Sequence, residues 1–117
     1  MMRFGLVVAF AVLSTSVVAQ EVDEAKKLAD CQLQGALIGA VQTARLDRVR
    51  KGDVTNVIMG ANPTWPTGLA DAIPTIAEYV YSLKRRDLRQ VDLATQTTVQ
   101  CLENYDQIQE LSKTAGQ

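Results

Sequence analysis

At 117 residues, 47% of them apolar and 21% charged, the chain has enough material for one folded domain and too much hydrophobicity for a disordered tail. Twelve Lys and Arg stand against 13 Asp and Glu, a formal net charge of −1, so the molecule as a whole attracts neither nucleic acid nor an anionic membrane; only a local patch could. Histidine is absent and cysteine occurs twice, which removes the commonest general base and an ordinary zinc site.

The chain opens with the pattern of a secretory leader. Arg3 supplies a positive n-region, Phe4 to Leu13 an apolar run, and Val17 and Ala19 the small residues of a cleavage site before Gln20. The apolar run is shorter than the roughly 20 residues of a spanning helix, and the acidic Glu21, Asp23 and Glu24 follow directly. The expected domains are therefore a signal peptide over 1–19 and a single helical domain over 20–117, periplasmic or secreted. Cleavage removes 19 of 117 residues and leaves 98, with 11 basic residues against 13 acidic. Leu28-Ala29-Asp30-Cys31 superficially resembles a lipobox, but Asp30 is charged, and Lys26 and Lys27 separate it from the apolar run. No later stretch is long and apolar enough to span a bilayer.

Residues 28–51 read as one long helix with two apolar seams. Val22, Ala25, Ala29, Leu33, Ala36, Leu37, Ala40 and Ala44 mark one; Leu28, Cys31, Gly35, Ile38, Gln42, Leu46 and Val49 mark the other. A helix apolar on two sides must be covered on two sides, and Gly35, Ala36, Gly39 and Ala40 would let a neighbour approach closely. Gly52 is the expected left-handed stop, after Arg45, Arg48, Arg50 and Lys51. Asp53 then caps a short second helix through Val54, Val57, Ile58 and Met59. Residues 62–68, with Pro63, Pro66 and Gly68, form the one clear break.

Pro74 suits the first turn of a third helix whose inner face is Ile73, Ile76, Ala77, Val80 and Leu83. Asp87, with Gln90 three residues on, suits the cap of a fourth, whose seam is Val91, Ala94, Thr98, Cys101, Tyr105 and Ile108, widened by Leu88, Leu102 and Leu111. No alternating apolar and polar run suggests a strand. The expected fold is all-α, a small disulfide-linked bundle of four helices, three long and one short.

In an exported chain the even cysteine count predicts a Cys31–Cys101 bridge. No Cys-x-x-Cys redox motif and no close cysteine pair for a metal is present. With the first and last long helices antiparallel, the bridge brings the end of the first near the start of the last. It thereby gathers Arg45, Arg48, Arg50, Lys51, Lys84, Arg85, Arg86 and Arg89 at one end, and Glu21, Asp23, Glu24, Glu103, Asp106 and Glu110 at the other.

Those eight cations are the first candidate binding residues, for phosphate, an anionic glycan or headgroup, or an acidic protein; the plainer explanation is that they complement helix dipoles. Trp65, the single tryptophan, is the second: a loop aromatic anchors partners or folds back as a lid on the core. Of Tyr79 and Tyr81, at least one should face outward. Ser82 and Ser112 sit in no nucleophile motif, and no glycine-rich phosphate loop occurs. Asp71 with Glu78 is a conceivable hydrolase pair, of a kind common on solvated helices. No catalytic residue, cofactor or metal is expected, nor nucleic acid as a partner. In size, compartment and cysteine count the chain resembles small periplasmic helical proteins with one disulfide, such as acid-stress chaperones and secreted-toxin immunity proteins. The expectation is a non-enzymatic protein that binds an unknown protein or anionic envelope ligand. An acid- or stress-responsive chaperone or inhibitor is the alternative, and a carboxylate hydrolase the remoter one.

Overall fold

The computed structural model describes residues 15–115, with side-chain surroundings for most of 23–111. Among them the chain forms five helices and no strand: α1 (Thr15–Leu46), α2 (Val54–Ala61), α3 (Leu69–Ser82), the single turn α4 (Arg85–Leu88) and α5 (Leu93–Ala115), with a 3-10 turn at Lys51–Asp53 before α2. The all-α disulfide-linked bundle expected from the sequence is the fold observed. Residues 1–14 of the expected leader lie outside the described residues, and 15–19 form the beginning of α1.

The disulfide closes as the cysteine count predicts. Cys31 and Cys101 are bonded, with Cα atoms 5.4 Å apart across a separation of 70 residues. Closing a loop that long removes unfolded-state entropy equivalent to about 4 kcal/mol. α1 and α5 run antiparallel across it, and the contacts on either side keep that register. Towards one end, Tyr105 donates to Asp30 at 2.9 Å and Lys27 approaches Asp106 at 3.8 Å. Towards the other, Thr98 and Ala94 sit over Gly35, and Ala94 over Gly39.

The core lies beyond Gly39. Leu37, Val41 and Ala44 of α1, Val54 and Ile58 of α2, Ile73, Ala77 and Val80 of α3, Leu88 of α4 and Leu93 of α5 form one buried cluster. The α3 inner face is the expected one. Two-sided coverage of α1 holds only in this half. Nearer its start, Ala25, Leu28, Ala29 and Ala36 are exposed, because α5 covers a single side there. Val41, fully buried, belonged to neither expected seam.

Four expected boundaries move. First, α1 stops at Leu46, and Arg48, not Gly52, takes the left-handed conformation, at φ 63°. The Val49 amide bonds the Ala44 carbonyl at 2.9 Å and the Arg48 amide bonds that of Arg45 at 3.2 Å, the paired bonds of a Schellman stop. Second, Asp53 makes no side-chain cap; its carboxylate lies 3.6 Å from Arg50.

Third, Pro74 is the sixth residue of α3 and not part of its first turn, because Leu69–Ile73 continue into the same helix. Its fixed φ fits the helix, and the bond it omits is the one to Ala70. Fourth, Asp87 lies inside α4, and the cap of α5 is Asp92, which accepts from the Thr95 amide at 3.1 Å and hydroxyl at 2.7 Å. Leu88 and Leu93 are both buried. On a continuous helix, residues five apart point about 140° apart, so a break between them lets both reach the core. Val91, at the break, is 39% exposed, and Leu111 is exposed; neither completes the expected seam. The side chain of Ile108 lies outside the described ones.

Candidate binding surface

The basic end is assembled by side chains that bind the helix ends to one another. Where α1 closes, the Arg45 guanidinium stacks over the Tyr81 ring, 5.1 Å from its centroid, and an Nη donates to the Leu83 carbonyl at 3.4 Å. The Tyr81 hydroxyl donates to the Val49 carbonyl. The stop of α1 is thus held to the end of α3. Burial pushes the Tyr81 phenol above its ordinary pKa, against the opposing pull of Arg45.

One turn away, the buried Gln42 amide joins α1 to the link between α4 and α5. It donates to Leu88 at 2.7 Å and Val91 at 2.8 Å and accepts from the Leu93 amide at 3.2 Å. Residues 84–89 are thereby placed beside the end of α1.

The eight expected cations divide into two groups. Arg45 is structural: it is half-buried, and its Nε is buried without a hydrogen bond. Lys51 pairs with Glu78 at 2.8 Å, and Arg50 with Asp53. No ion pair among the described residues engages Arg48, Lys84, Arg85, Arg86 or Arg89; Arg85 is half-buried and the other four are exposed. Asp47 and Asp87 are the acidic residues interleaved with them.

The opposite end carries Asp23, Glu24, Asp106 and Glu110 around an open cleft of about 570 Å³ between α1 and α5, together with Lys26, Lys27 and Tyr105. Tyr105 titrates above its ordinary value, chiefly through its bond to Asp30. The charge separation expected from antiparallel helices is thus present, although the two lysines dilute the acidic end. Glu103 is exposed in the same half of α5, and the side chain of Glu21 lies outside the described ones.

Trp65 is half-buried and packs on the core, as a lid does. It precedes the start of α3, whereas Lys84–Arg86 follow its end. Fourteen residues of helix, about 20 Å, intervene, so Trp65 and the basic end do not form one face. Tyr79 is the outward tyrosine, 55% exposed. Of the conceivable hydrolase pair, Asp71 is exposed and Glu78 is held by Lys51.

Sequence reasoning missed Gln42 and Asp92 as the residues that place the basic segment. The Asp92-x-x-Thr95 spacing was a signal for the second; a glutamine on an apolar seam was the signal for the first. No helix among the described residues is long and apolar enough to cross a membrane, and none of their acidic and cysteine residues group as metal ligands. Comparison with protein families, with characterised proteins and with solved structures returned no match.

Proposed function

We propose that this is an exported, non-enzymatic binding protein whose basic end docks on an anionic surface. The observation that carries this reading is the cluster Arg48, Lys84, Arg85, Arg86 and Arg89, without ion-pair partners among the described residues and held at one end by the Gln42 and Tyr81 bonds. Cations that served only helix ends would not need side chains from α1 and α3 to hold them together. The leader pattern and the disulfide support export. Because four of the five cations are exposed, an extended anion, either a phosphorylated envelope component or an acidic protein face, suits the basic end better than a small enclosed ligand.

The test is titration of the disulfide-intact protein with polyphosphate, with vesicles of anionic and of zwitterionic phospholipid, and with polyglutamate. Each titration is run at low and at high salt. Salt-sensitive binding to one of the anionic probes supports the proposal, and the preferred probe names the class of ligand. Binding to none at low salt overturns it. Amino-terminal sequencing of protein recovered from the envelope fraction tests export separately.

A second reading rests on a different observation. Three carboxylates hold the α1–α5 pair or start α5: Asp30 through Tyr105, Asp106 through Lys27, and Asp92 through Thr95. Low pH removes carboxylate charge while the cations remain, and loss of these contacts would loosen the pair and expose apolar surface within the limit set by the disulfide. Such a chain would keep a client protein from aggregating at about pH 2–3. Compactness and inertness at that pH would remove this reading.

A further inference from the structure

Opposite the core, the α1–α5 pair presents a face that no other helix covers. A shallow groove of about 260 Å³ runs along it, lined by Gln32 and Ala36 of α1 and by Thr95, Thr98 and Val99 of α5 over the close approach at Gly35. Exposed apolar residues flank the groove at both ends. Leu28 lies four residues before Gln32 on α1, and Val91 stands in the link just before α5. Leu28 and Val99 are each 46% exposed and Val91 39%. The core lies on the far side, reached by Leu37, Val41 and Ala44.

We infer that this face is the contact between two antiparallel copies of the chain. Two properties select a second copy as the occupant. First, the face is self-complementary in register. Gly35 packs against Thr98; Leu28 lies two turns from that level along α1, and Val91, in the link before α5, lies beyond it towards the opposite end. A two-fold axis through the Gly35 level sets Leu28 of one copy against Val91 of its partner, at both ends at once.

Second, the charge distribution fits only the antiparallel arrangement. That axis lays the basic end carrying Arg86 and Arg89 alongside the partner's acidic end, which carries Glu24, Asp106 and Glu110. A parallel pair would set like charges together. Charge of this kind fixes orientation more than affinity. The face between Leu28 and Val91 spans about 14 residues of helix, roughly 20 Å, and two helices, roughly 20 Å more. Its projected area of about 400 Å² per copy, about 800 Å² in total, is smaller than that of a stable specific interface, so the dimer is weak and transient. Its two basic tips point in opposite directions, which makes it bivalent towards an extended anion.

Sedimentation equilibrium from about 10 μM to about 1 mM tests the inference. The mass should rise from one chain towards two for the native protein and for Tyr79→Glu, which changes an exposed aromatic on another helix. Val99→Glu should stay monomeric while its circular dichroism and melting temperature remain native. Mixing folded Leu28→Cys with folded Val91→Cys should give an intermolecular cross-link that Leu28→Cys alone does not. A native chain that remains monomeric at about 1 mM, a Val99→Glu chain that dimerises normally, or a Leu28–Leu28 link would each overturn it. None of these readings depends on anion binding, so the fate of the basic-end proposal is separate.

Discussion

Gln42 donates a hydrogen bond to the carbonyl of Leu88 across 46 residues of sequence, at 2.7 Å and out of solvent. The same amide also bonds Val91 and Leu93, so one side chain satisfies three backbone groups at the break between α4 and α5. Replacing it by leucine keeps the volume and removes every partner. Gln42→Leu should cost about 2–4 kcal/mol, because buried backbone groups are left unpaired. Chemical denaturation measures this, and a change below about 1 kcal/mol would mean that the break is held by other contacts.

Arg48 is the only non-glycine residue with positive φ among the described residues. A left-handed backbone costs a residue with a Cβ about 1–2 kcal/mol, and glycine avoids that cost. Arg48→Gly should therefore raise stability by about 1 kcal/mol while weakening polyanion binding, since it deletes one of the unpaired cations. A variant that gains stability and binds as before would remove Arg48 from the binding surface.

Two glycines make opposite predictions. A Cβ at Gly35 would overlap the Thr98 hydroxyl and lie 2.7 Å from the Ala94 carbonyl, whereas a Cβ at Gly60 meets nothing within 4 Å. Gly60→Ala should gain up to about 1 kcal/mol from helix propensity. Gly35→Ala should lose about 1–3 kcal/mol as α5 is displaced. Thermal melts of both variants, with the disulfide intact, check the contrast in sign.

Asp92 titrates below its ordinary value, first because the Thr95 hydroxyl bonds its carboxylate and then because the Thr95 amide does. A folded pKa below the unfolded one means that the stabilisation is complete above the unfolded value, about pH 4, and is lost as pH falls through the folded value. Asp92→Ala should therefore unfold at lower denaturant than the native chain at pH 7, and the gap between the two midpoints should narrow as pH falls through the folded value. A gap of equal size at pH 7 and at the lower pH would show that the carboxylate charge plays no part.

The helices, the inner face of α3 and the cysteine pairing were legible because each follows from a local period or a parity argument. The inner face of α3 and the Cys31–Cys101 bridge are observed as expected. What failed was punctuation. Gly52 and Asp87 are residue types that favour stops and caps, yet Arg48 and Asp92 took those roles. The reason is tertiary: α1 must end where Tyr81 can reach Val49, and α5 must begin where both Leu88 and Leu93 reach the core. No local spacing contains that information. At the basic end, the sequence identified the cations but could not separate Arg45, which stacks on Tyr81, or Lys51, which pairs with Glu78, from those left exposed.

The measurement that bears most directly on the account compares the native chain with a Lys84→Gln, Arg86→Gln, Arg89→Gln triple variant in polyphosphate titrations at low salt. All three side chains are exposed and without ion-pair partners among the described residues, so melting temperatures should agree within a few degrees. The account predicts that the variant binds at least about tenfold more weakly and shows a shallower dependence on salt. Equal affinity in two equally stable proteins would contradict it.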